Sequence, residues 1–114
     1  MAPTRFRRVS ASWKEDDMAA FVTLINWTEQ GSRGAKDTVN RARAFRQAAE
    51  AAGGRLIGIW WTLGQHDAVA ILEAPDDETA TRLSLATGMQ GNVRATTMRA
   101  FSEEEMERIV QALP

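Results

Sequence analysis

Arg55-Leu56-Ile57-Gly58-Ile59-Trp60-Trp61-Thr62-Leu63-Gly64-Gln65-His66-Asp67-Ala68-Val69-Ala70-Ile71-Leu72-Glu73 is the stretch on which the fold turns. Two runs rich in β-branched and aromatic residues flank Gly64-Gln65-His66. Such runs read as strands, and so short a link makes them an antiparallel hairpin. The predicted strands are Arg55 to Leu63 and Asp67 to Glu73.

Before the hairpin, Asp37 to Ala52 carries Val39, Ala42, Phe45, Ala49 and Ala52 at helical steps, with Arg41, Arg43, Arg46 and Gln47 over the rest of its surface. That is one apolar stripe on a helix. Gly53-Gly54 ends it, because glycine enters the left-handed cap without a Cβ penalty. Ala20 to Trp27 reads as a first strand, and Thr28 to Gly34 as a polar turn with two glycines.

After the hairpin, Pro75-Asp76-Asp77-Glu78 opens a second helix, its acids placed where the helix dipole favours them. Ala80, Leu83 and Ala86 are its inward residues and Gly88 its stop. Asn92 to Phe101 is a fourth strand. Ser102 and Glu105 have the spacing of a capping box, followed by Met106, Ile109, Val110 and Leu113 at helical spacing. This short helix is expected to dock through that apolar face. The order β-α-β-β-α-β plus a terminal helix predicts an α+β, ferredoxin-like fold: a four-stranded antiparallel sheet with two helices on one face.

Two helices cover one face of such a sheet, and the other face of a solitary domain alternates to polar residues. Here both faces read apolar. Val22 and Leu24 oppose Phe21, Ile25 and Trp27; Ile57, Ile59, Trp61 and Leu63 oppose Leu56 and Trp60; Val69 and Ile71 oppose Ala70 and Leu72. Exposed apolar area costs about 25 cal/mol per Å², so the second face is expected to meet another copy of the chain. An arginine at a residue facing that interface, with Leu72 as the example, is expected to break it.

The 114 residues, 44% hydrophobic and 25% charged, fit one globular domain. There is no cysteine, so no disulfide or thiolate metal site exists. A net charge of −1 argues against a general nucleic-acid binder. No apolar run approaches the ~20 residues of a membrane span. Thr4 to Trp13 is rich in Arg and Ser and free of acids, loosely like a transit peptide, and Arg7-Arg8 has the look of a twin-arginine signal. Lys14-Glu15-Asp16-Asp17 interrupts before the first apolar run, so residues 1–17 are expected to be a flexible leader outside the fold, residues 18–114 the working domain, and the location cytoplasmic. Met18 is a second candidate start.

Several segments together resemble the GYD domain family of bacterial proteins. They are Phe21-Val22-Thr23-Leu24, Trp27-Thr28-Glu29-Gln30-Gly31, Arg41 with Phe45, Gly58 to Asp67, Glu73-Ala74-Pro75-Asp76-Asp77, and Gly91-Asn92-Val93-Arg94 through Phe101. The resemblance implies a dimeric α+β barrel, in which two ferredoxin-like sheets close on each other. It implies no particular activity. His66, the only histidine, stands where the family's name-giving signature has tyrosine.

Candidate chemistry is sparse. His66 is the one side chain that ordinarily titrates near neutrality and, with Asp67 beside it, is the candidate for acid–base catalysis; its commoner role is a polar hairpin end. Trp27, Trp60 and Trp61 suit a flat-ligand pocket, but aromatics in strands are more often core or interface anchors. Arg41, Arg94 and Arg99 suit an anion, with exposed surface arginines or structural ion pairs as the default. If a small molecule binds, the candidate site is Trp60, His66, Asp67 and Arg99. No metal-ligand spacing, nucleophile motif or phosphate loop is present, and no cofactor is expected. A homo-oligomeric small-molecule-binding domain is the leading reading. The others are a cofactor-independent enzyme, oxygenase- or isomerase-like, acting on a small flat substrate, and a structural or partner-binding module.

Overall fold

A computed structural model describes residues 18–114; the expected leader, residues 1–17, lies outside the described residues. Four strands form one sheet in the order β2-β3-β1-β4: β1 Ala19–Trp27, β2 Arg55–Trp61, β3 Ala68–Ala74 and β4 Val93–Ala100. Every pairing is antiparallel. The helices are α1 Glu29–Arg33, α2 Thr38–Ala51, α3 Asp77–Met89 and α4 Glu103–Gln111, with a 3₁₀ turn at Ala35–Asp37. This is the expected ferredoxin-like α+β order. The segment read as a polar turn instead contains α1. Thr28 caps it by accepting from the Gly31 amide at 3.1 Å, the local bond that starts a helix even in a polar stretch.

Phe21, Leu56, Ala70, Leu72 and Ala74 from the sheet pack with Ala49 of α2 and with Ala80 and Leu83 of α3. Leu72 is only 2% exposed, so it belongs to this core and not to the free face assigned to it above. Its neighbour Ile71 points the other way, because side chains alternate along a strand. Asp76 caps α3 by accepting from the Thr79 amide at 2.8 Å, and the Ser102–Glu105 capping box of α4 is present as expected.

The β2 alternation differs from the sequence reading. The register jumps between Leu56, opposite Leu72, and Gly58, opposite Ile71. Ile57 is the extra residue of a β-bulge. Leu56, Ile59 and Trp61 therefore share the helix side, while Trp60 lies on the opposite face and covers Gly58, where an added Cβ would sit 2.6 Å from the indole.

That opposite face carries Val22 and Leu24 of β1, Val69 and Ile71 of β3, and the exposed Trp60 and Met98. It is apolar, as expected. Met106, Ile109, Val110 and Leu113 of the terminal segment are exposed by 44 to 64%. The apolar face expected to dock is thus not buried against the described residues of the protomer.

Candidate functional site

The helix layer does not fill the space above the sheet. Ala42 and Ala48 of α2, Ala80 and Ala86 of α3, and Ala68, Ala70 and Ala95 of the sheet are too short to meet across it. A cavity of about 160 Å³ results. Ile25, Trp27, Phe45, Ile59 and Trp61 give it apolar and aromatic walls. Its polar lining includes Thr23, Ser84 and Thr97, and Arg41 is its one ionisable lining residue.

The end near Trp27 and Trp61 is braced by specific bonds. The Trp61 Nε1–H donates to Thr38 Oγ1 at 3.0 Å, tying β2 to the start of α2. Arg41 donates through Nη1 to Gly34 O at 2.7 Å and through Nη2 to Gly31 O at 3.3 Å. It thus caps the carbonyl end of α1 and meets no carboxylate among the described residues. Thr28 donates to Gly91 O at 2.5 Å, its amide to Asn92 O at 3.0 Å, and Gln30 Nε2 to Gln90 O and Asn92 Oδ1. Gly31 is pressed so closely on this loop that a Cβ would lie 1.9 Å from Asn92 O.

Asp67 and His66 sit behind the same wall. Asp67 Oδ2 accepts from the Trp27 amide at 2.8 Å, and the Asp67 amide donates to Ile25 O at 2.8 Å. Asn26 Nδ2 donates to Gln65 O at 2.8 Å, which turns its oxygen to His66 Nδ1 at 2.9 Å. That nitrogen therefore carries the proton. His66 and Asp67 fasten the hairpin to the end of β1, and neither lines the cavity.

Arg99 is far from both. It pairs with Phe21, whereas Asp67 bonds at Ile25 and Trp27, four to six residues along β1, or roughly 13–20 Å. Its guanidinium lies 4.5 Å from the Phe101 ring centroid and 5.8 Å from that of Phe21, bonds the Ala100 carbonyl, and pairs with Glu105 at 3.2 Å. Trp60 is on the other face of the sheet. The four residues expected to share one site thus do not converge. The sequence reading had singled out Trp27, Trp61 and Arg41 without assembling them. The hydroxyls of Thr23, Ser84 and Thr97 gave no signal, because their meeting depends on the register of β1 with β4 and on the turn of α3.

Among the described residues no group of acids and histidine could hold a metal ion, and no helix is long and apolar enough to cross a membrane. No curated protein matches the chain. Among solved structures, that of MtbAldR is similar with a TM-score of 0.60 at 13% identity, over 75% of this chain and 55% of that one. An uncharacterized NIPSNAP-like domain protein from Burkholderia xenovorans gives 0.48 at 18% identity, over 75% and 85%. The chain spans little more than half of MtbAldR, and at such identities the likeness concerns the fold alone. The family model for the GYD domain matches residues 21–110, the span that includes the cavity walls and the bonds bracing them, and the chain belongs to that family.

Proposed function

We propose that this protein is a homo-oligomeric small-molecule-binding domain that takes its ligand between the sheet and the helix layer. The observation that carries this is the cavity of about 160 Å³, mostly apolar, with a few convergent polar groups. Arg41 already bonds two carbonyls, and no acid or histidine faces the space, which supports binding rather than proton transfer by the protein. Ala42, 8% exposed, lines the cavity from α2. Ala42→Leu fills part of the space without touching the bonds around it. In a thermal-shift screen, ligands that raise the melting temperature of the full chain are expected to lose at least tenfold in affinity for this variant, with its fold intact. Ligands that bind both forms equally place the site elsewhere.

The oligomer reading rests on the second apolar face. Trp60 and Met98 are 52% and 42% exposed there, and the apolar residues of α4 are half-exposed. A second copy supplies the same chemistry in return, so an isologous contact satisfies both protomers at once. Trp60 is the natural anchor of that contact.

A further inference from the structure

At the end of the cavity away from Trp27 and Trp61, three hydroxyls from three elements meet. Thr23 Oγ1 of β1 lies 3.1 Å from Thr97 Oγ1 of β4, and Ser84 Oγ of α3 lies 3.5 Å from the same oxygen. Thr23 is only 8% exposed. None of the three hydroxyls bonds any other group of the described chain. Each hydroxyl carries one hydrogen and two lone pairs. Two contacts use two hydrogens, so at least one hydrogen stays without a partner inside the cluster.

A buried hydroxyl without a partner is destabilising. On the Thr23 side the adjoining wall is apolar, lined by Ile25, Phe45 and Leu83, while Ser84 can also reach a carbonyl of its own helix. Ser84 and Thr97 also border an outer cleft that runs to Phe21 and Arg99, whereas Thr23 borders the inner cavity alone. The cluster can therefore orient its hydrogens inward, donating to an oxygen in the cavity, or outward, leaving Thr23 to accept from one. Either orientation suits a neutral oxygen function. Neither compensates a full negative charge.

The size of the space sets the rest of the ligand. A dry apolar cavity of roughly 150 Å³ holds benzene, so about 160 Å³ accommodates one six-membered ring and a small substituent. Trp27, Phe45 and Trp61 provide the flat walls that such a ring packs against.

We infer that the cavity selects a neutral monocyclic aromatic molecule bearing one hydroxyl or carbonyl oxygen, read by the Thr23–Thr97–Ser84 hydroxyl cluster. The inference deepens the proposed function and rests on the cavity being the binding site.

Toluene, benzyl alcohol, benzaldehyde and benzoate separate the contributions of ring, neutral oxygen and charge. Each is titrated into the full-length protein and followed by amide and methyl NMR shifts. Benzyl alcohol and benzaldehyde are expected to bind about three- to tenfold more tightly than toluene, the worth of one neutral hydrogen bond, and more tightly than benzoate. The shifts are expected to be largest at Thr23, Phe45 and Thr97. In the isosteric Thr23→Val/Thr97→Val variant that preference is expected to disappear while toluene affinity stays within about twofold. Ser84 alone can then turn to a carbonyl of its own helix. Equal binding of toluene and benzaldehyde overturns the inference but leaves the cavity as the site. Tightest binding of benzoate also overturns it and assigns recognition to Arg41. A preference that survives the double substitution removes the cluster's role. If none of the four binds, the cavity reading falls as well. The wild-type series decides by itself should the variant fail to fold.

Discussion

Asp67 closes two segments with one side chain. Its carboxylate takes the Trp27 amide and its own amide reaches Ile25 O, so the end of β1 and the hairpin are held as a unit. Asp67→Ala leaves the Trp27 N–H without its acceptor and is expected to cost about 1–2 kcal/mol of stability in urea denaturation. Gly31 is the more severe position. A methyl group there meets Asn92 O at 1.9 Å, a backbone atom that cannot swing aside. Gly31→Ala is expected to destabilise by about 2–4 kcal/mol or to detach α1, visible as loss of near-ultraviolet signal from Trp27. The sequence showed His66 and Asp67 as neighbours in a short turn, and that much is visible without coordinates. It could not show that their bonds run to β1, forty residues back in the chain. For the same reason the grouping with Arg99 fails: residue types suited to one site were legible, but their distances along the sheet were not.

At the scale of elements, helix starts are the best-written part of the chain. The acids before α3 and the Ser102–Glu105 pair before α4 both act as the spacing predicts. Their titration follows from the same bonds. Hydrogen bonds from Thr79, side chain and then backbone, hold the Asp76 carboxyl below its ordinary value. The Ser102 amide and then Arg99 do so for Glu105. A carboxyl lowered in the folded state contributes stability that is present above the ordinary range near pH 4 and is lost as pH falls through the folded value. The denaturation midpoint is therefore expected to drop between about pH 5 and pH 2. Asp76→Asn with Glu105→Gln keeps the caps and is expected to shallow that drop. The α1 helix escaped the sequence reading because a five-residue helix has no apolar period to detect. Only its cap and its tertiary bonds make it.

The whole molecule presents two apolar sheet faces with different tasks. One closes over the core and the cavity, and the other is expected to meet a second copy. Light scattering in dilute buffer is expected to give at least twice the 12.6 kDa chain mass. Ile71→Arg, on the free face, is expected to yield a folded monomer. Leu72→Arg, one residue along and 2% exposed, is expected to unfold the protein, because an unpaired charge would lie in the core. Circular dichroism alongside light scattering separates the two outcomes. That both sheet faces are apolar was legible from alternation alone, and the choice between Ile71 and Leu72 was not, since it turns on which face the helices take. The extra residue in β2 has a consequence for comparing relatives. Ile57 sits between two correctly facing halves of the strand, so a chain lacking it would keep Leu56, Ile59 and Trp61 against the helices and Trp60 on the free face. A chain that kept Ile57 but ironed out the bulge would exchange the two tryptophans, moving Trp61 from the cavity wall to the free face and Trp60 from the free face to the cavity. Within this strand, a one-residue gap at position 57 is the length change that evolution could make without crossing those roles.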